Sequence, residues 1–141
     1  MILKISKLFL RVSIAFSFLS AVADRLGMWS KEVSVWGDWT HFLEYTQILN
    51  PWAPKPLVSF LATTATVAEI IFAVCILVGF KTRFFARLSG YLMLLFALAM
   101  CFTTGIKSAL DYSVFTASAA AFALSVFNDT FLELDGYLKK E

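Results

Sequence analysis

The chain has 141 residues, 60% of them hydrophobic and 16% charged, with a mean hydropathy of +0.77. Soluble domains run at roughly 45–50% apolar and 25% charged, so a chain this small has no means of hiding so much apolar surface from water, and the bilayer is its natural solvent. The net charge of +2 is too weak to imply nucleic acid as a partner, and the length suits one transmembrane domain over residues 1–141 rather than two domains.

The N-terminus imitates a signal peptide: Lys4, Lys7 and Arg11 form a basic region, Val12–Leu19 is apolar, and Ala21-Val22-Ala23 resembles a small-residue cleavage site. Cleavage would leave only three spans in a very small protein, so Ile5–Leu26 reads as a retained first transmembrane helix. Residues 27–56 are different. All four tryptophans (Trp29, Trp36, Trp39, Trp52) and all three prolines fall here, and Trp belongs at the membrane–water interface. Asp38–Leu49 alternates apolar and polar residues as a short amphipathic helix does, and Asn50-Pro51 stops it. The loop is too long for a mere connector. It reads as an external lid, with Trp29, Trp36, Trp39, His41 and Trp52 as its lid or interface residues.

Leu57–Gly79 is 23 residues long with one ionisable side chain, Glu69, near its middle. Such a run spans a bilayer as one helix. A carboxylate near the midplane is costly and should face protein rather than lipid. Ala62, Ala65, Thr66, Phe72, Ala73 and Ile76 share its side of the helix and are mostly small, whereas Phe60, Val67, Ile71, Val74 and Val78 lie opposite and are bulky. Small residues permit close helix contact and bulky ones suit lipid, so Glu69 is expected to point into a bundle. Phe80–Arg83 is a tight basic turn. The third span is about Phe84–Thr104, with Gly90 and Tyr91 inside. The fourth is about 109–127, where Ala109, Ser113, Ala117, Ala121 and Ser125 recur every four positions as a packing face for a partner. The polar tail, 128–141, is expected to fray or lie on the surface.

With the N-terminus inside, Lys4, Lys7, Lys81, Arg83, Arg87, Lys139 and Lys140 lie on the inner side, against Arg25, Lys31, Lys55 and Lys107 outside. That bias places both termini in the cytoplasm. Cys75 and Cys101 lie roughly 20 Å apart in depth, too far for the about 4.4–6.8 Å between the Cα atoms of a disulfide.

Glu69 is either a packing residue or a proton acceptor and ligand partner, with Arg11, Thr66 and Tyr91 as the other candidates for such a site. Arg11 lies roughly 9 Å and Glu69 roughly 15 Å from the inner ends of their helices, within reach of a long side chain. The competing reading has the face of Ser13, Ser17, Ser20 and Asp24 packing inward while Arg11 snorkels to the headgroups. Asp24, Arg25 and Asp111 pair locally or line an entrance at the outer helix ends. Asp38, His41 and Glu44 are spaced three apart, but three loosely spaced residues on a surface helix are weak grounds for a metal, and none is expected. No phosphate loop, nucleophile triad or paired-His motif is present.

Several of these residues together resemble the DoxX-like family of small four-helix membrane proteins. They are Arg11 with Ala15 four residues on, Arg25 at the outer end of the first helix, and a loop with a short helix and prolines. The closest match is Glu69 running into Leu77-Val78-Gly79-Phe80-Lys81-Thr82-Arg83-Phe84-Phe85-Ala86. The resemblance covers roughly residues 8–127. With the periodicities above it makes the expected fold all-α, an antiparallel four-helix transmembrane bundle with an external amphipathic helix between helices 1 and 2. It implies a subunit of, or accessory to, a redox-linked complex of the inner membrane; the midplane Glu69 and the aromatic lid would offer a quinone or another hydrophobic molecule a pocket, and any catalysis would be that of a quinone-linked oxidoreductase subunit rather than of the chain alone. Its alternative is an assembly factor or structural subunit that packs against another membrane protein or a second copy of itself.

Overall fold

The computed structural model describes residues 1–138 and is all-α. Its elements are α1 (Ile2–Arg25), α2 (Trp39–Leu49), α3 (Lys55–Val78), α4 (Thr82–Thr103), α5 (Ile106–Asp111), α6 (Val114–Val126) and α7 (Leu134–Leu138). Three of them, α1, α3 and α4, are long and apolar enough to cross a membrane, at 24, 24 and 22 residues. Lys139 and Lys140, counted above toward orientation, lie outside the described residues.

Local chemistry sets the helix ends. Asp38 caps α2, its carboxylate accepting the backbone N–H of His41 at 2.9 Å. That bond is the main cause holding the Asp38 carboxyl below its usual range. Pro56 occupies the first turn of α3, where its missing N–H is harmless. Gly79 ends α3 in the left-handed conformation, and the Phe80 N–H returns to the Cys75 carbonyl at 2.9 Å.

The fourth apolar segment departs from expectation. It is not one helix but α5 and α6, broken at Tyr112-Ser113, where Ser113 has φ +56°. Alone, α6 has 13 residues, about 20 Å of helix. The four-residue ridge is broken with it. Ser113 is exposed, whereas Ala121 and Ser125 are buried. They are used inside the chain, where α6 packs most extensively against α4 and also touches α1. Ser118 Oγ donates to the Gly90 carbonyl at 2.8 Å across that contact.

The core gathers where α1, α3, α4 and α6 meet, at Ile14, Ala15, Phe18, Ala73, Ile76, Ala86, Met93, Ala121 and Leu124. The outward residues of α3 are those its periodicity predicts: Phe60, Val67, Ile71, Val74 and Val78 are exposed, and Ala62, Thr66, Glu69, Ala73 and Ile76 are buried. Cys75 and Cys101 are free and half-buried. The α4–α6 contact is tight: a Cβ at Gly90 would lie 2.8 Å from the Phe122 ring. Gly90→Leu should therefore lower stability by about 1–3 kcal/mol through overpacking. Thermal unfolding in detergent reads the loss, and Phe122→Ala in the same chain should recover part of it.

Candidate functional site

The site is built around Glu69, which is only 1% exposed. Its partner is Arg25, at the last position of α1 and 4% exposed. Arg25 holds both carboxylate oxygens: Nη2 donates to Oε1 at 3.1 Å, Nη1 donates to Oε2, and Nη1 also donates to Thr66 Oγ1 at 2.9 Å. This two-pronged geometry is the strongest form of a charge-assisted pair. Thr66 thus belongs to the site, one turn of helix before Glu69.

Aromatic rings from the loop and α2 form a roof. The Arg25 guanidinium carbon lies 4.0 Å from the centroid of Phe42 and 5.2 Å from that of Trp36. The two rings meet edge to face at 5.3 Å, and Trp39 packs on Phe42 at 5.4 Å. Cation–π contact favours a desolvated guanidinium. Asp24 positions the roof. Its carboxylate is buried and accepts the hydroxyl of Ser34 and the backbone N–H groups of Val35, at 2.9 Å, and Trp36, at 3.1 Å. Asp24 and Arg25 are therefore adjacent but do not pair: one fixes the loop and the other fixes α3.

Arg11 occupies a different place from either sequence reading. It is buried, so it does not snorkel, and Ser17 and Ser20 of the opposite face are exposed. Nor does it meet Glu69. Its Nε donates to the Ile76 carbonyl at 3.0 Å and its Nη2 to that of Leu77 at 2.9 Å. These are last-turn carbonyls of α3, which lack the regular partner four residues on and carry the negative end of its dipole; the Ile76 carbonyl also accepts the Gly79 N–H at 3.3 Å.

Side-chain direction explains the exchange. Every Cα–Cβ bond leans toward the N-terminus of its own helix. Arg11 meets the C-terminal end of α3, so α1 and α3 run in opposite directions. Arg25 therefore reaches back along α1 while Glu69 reaches back along α3, and the two converge. Arg11 leans the other way.

The remaining candidates scatter. Tyr91 is exposed on α4 and packs edge-on against Phe122 at 5.0 Å, away from Glu69. Trp29 is partly exposed and donates to the Ser20 carbonyl at 3.2 Å, and Trp52 is exposed. His41 is exposed and its Nδ1 lies 2.9 Å from Asp38. Among the described residues no group of three His, Cys, Asp or Glu side chains is placed to hold a metal ion. Ala117 is half-buried against the core that holds Ala121.

With each oxygen accepting an Arg25 N–H, Glu69 is a paired carboxylate in this structure rather than a lone one. Arg25 Nε is buried with no acceptor among the described residues. The arrangement is a closed, neutral pair with one unused donor beside an aromatic roof.

Compared with known families, residues 6–105 match the DoxX family model. The match takes in Arg11, Arg25, Thr66, Glu69 and the lid, and the chain belongs to the DoxX family. It stops short of α6, which the resemblance read from sequence had included. Comparison with curated proteins and with solved structures gave no match.

Removing one member of a buried pair strands the other charge, which costs about 3–5 kcal/mol, whereas replacing both with apolar residues is often near neutral. Glu69→Gln and Arg25→Leu should each lower thermal stability in detergent by that order, and the Arg25→Leu/Glu69→Leu double variant should lie close to wild type. A double variant as unstable as the sum of the singles would show that the pair does not hold the site together.

Proposed function

We propose that this DoxX-family protein is an accessory, non-catalytic subunit of a redox-linked membrane complex. It crosses the inner membrane four times, with α1, α3, α4 and the α5–α6 pair alternating in direction and both termini in the cytoplasm. The observation that supports the non-catalytic reading is the two-pronged Arg25–Glu69 pair, in which each carboxylate oxygen accepts a guanidinium N–H and the acid is matched by a buried cation. The pair ties α1, α3 and the lid into one rigid outer end. The apolar faces of α3 and α1, with exposed Phe60, Val67, Ile71, Phe9 and Phe16, suit lipid and a partner's transmembrane helices. The redox linkage rests on the family resemblance, and fold-level likeness alone does not fix a reaction.

A second reading keeps a ligand under the lid. The unused Nε–H of Arg25 supports it, since a quinone carbonyl would accept that donor while its ring stacked against Trp36 or Phe42. The assembly-factor alternative shares the closed pair with the first reading and differs in leaving the mature complex.

Purification in mild detergent separates these. The accessory reading expects a stoichiometric protein partner by mass spectrometry, a colourless preparation, and partner recovery reduced but not abolished by Glu69→Gln. A quinone in the organic extract, lost on Arg25→Leu and present without any partner protein, would overturn it in favour of the second reading. A partner found only in an immature, subunit-poor complex would establish the assembly role.

A further inference from the structure

The other charged centre, to which Arg11 belongs, lies at the opposite end of the molecule. Lys7, Arg11 and Glu133 are all buried there. Glu133 comes from the polar tail that was expected to fray. Its Oε1 lies 2.8 Å from Lys7 Nζ and 3.7 Å from Arg11 Nη1. The segment leading to it is bound as closely. Arg11 Nη1 donates to the carbonyls of Phe131 and Leu132, each at 2.9 Å, and Lys7 Nζ donates to the Asp129 carbonyl. Beyond it, Asp135 accepts the N–H groups of Lys81 at 2.9 Å and Thr82 at 3.2 Å, and its own N–H donates to the Gly79 carbonyl at 3.0 Å. Residues 129–135 thus join α1 to the α3–α4 turn.

Three features mark this segment as a removable occupant rather than a fixed strut. First, Leu132 sits at φ +49°, a conformation that a branched side chain disfavours and that the surrounding contacts must hold. Second, Glu133 meets the two cations by charge alone: its Oε1 is buried and accepts no hydrogen bond among the described residues. Third, the Arg11 bonds to Ile76 and Leu77 belong to α3 and would survive departure of the segment. What would be left is two cations, Lys7 Nζ and Arg11 Nη1, 2.8 and 3.7 Å from the point that Glu133 Oε1 now fills.

We propose that Lys7 and Arg11 form a receptor for an anionic oxygen group, occupied in this structure by Glu133 as an internal stand-in, and that phosphate-bearing groups at the membrane surface compete with Glu133 for it. Two adjacent donors of this kind are what a phosphate oxygen recognises. The surroundings suit a phosphate that carries an acyl chain. Ile2, Leu3, Ile5 and Phe9 are exposed on the same stretch of α1. A depression of about 350 Å³ lined by Leu3, Val126, Phe127, Asn128 and Asp129 opens beside the Lys7–Asp129 contact. The C-terminal segment then acts as a latch sensitive to anionic lipid. The proposal does not depend on the role assigned to Arg25 and Glu69.

The full chain with Cys75→Ala and Cys101→Ala, spin-labelled at exposed Lys4 and Tyr137, tests this in nanodiscs. In phosphatidylcholine a single short distance is expected. Replacing part of that lipid with phosphatidylglycerol should add a longer population, and Glu133→Gln should produce the longer population in phosphatidylcholine alone. By native mass spectrometry, Glu133→Gln should retain phosphatidylglycerol several-fold above wild type, and adding Lys7→Gln should erase the gain. Release of the label by inorganic phosphate in phosphatidylcholine discs would assign the receptor to free anions rather than lipid. A distance that neither phosphatidylglycerol nor phosphate moves in the wild-type sequence would overturn the proposal, whatever the folding of the variants, and would make the segment a permanent strut.

Discussion

An ion held in hydrocarbon has to be met by something of opposite polarity, because no water is there to meet it. This chain places five ionisable side chains of α1 and α3 in its interior: Lys7, Arg11, Asp24, Arg25 and Glu69. Each is met by a specific group, and the rest of the architecture is arranged to bring those groups into place. At one end the answer is a carboxylate on the neighbouring helix. At the other it is the open carbonyls of a helix terminus together with a carboxylate from the tail. The core between them is built largely of alanine and medium aliphatic residues, which let the helices approach closely enough for such short links to form.

The Arg25–Glu69 end shows how little sequence is needed once direction is set. Asp24 and Arg25 are consecutive, yet one turns to the loop and the other to α3. Asp24 gathers the hydroxyl and two amides of residues 34–36, which sets Trp36 over the guanidinium that Arg25 extends toward Glu69. α2 then contributes Phe42 from the other side. A helix end, a loop and a surface helix are thereby joined to α3 through one cation, and the lid is held by polar anchors rather than by apolar contact alone.

Much of the fold was legible because hydropathy and periodicity act over many residues. The three long helices, the inward face of α3 and the amphipathic α2 followed from repeated small signals. Arg25 was missed for a definite reason. Depth along the helices places Arg11 nearer to Glu69, but the lean of the Cα–Cβ bond carries Arg11 away from it and Arg25 toward it. The opposite directions of α1 and α3, already expected of an antiparallel bundle, contained that information. The tail was misread on composition: residues 128–138 look polar and loose, and only the inward turn of Lys7 and Arg11 makes Glu133 a buried residue. The ridge from Ala109 to Ser125 assumed one unbroken helix, and the left-handed Ser113 divides it.

The shortness of α6 has a consequence for the surrounding lipid. Its neighbours present about 33–36 Å of helix while α6 presents about 20 Å, against a hydrocarbon layer of roughly 30 Å. Were α6 to cross as the fourth span proposed above, the bilayer on that flank would thin, or α5 would sink into the interface, at a fraction of a kcal/mol for each ångström of mismatch. The apolar helices are thus of unequal length around the girth of the protein, and a bilayer fitted to the three long ones would be too thick for the fourth.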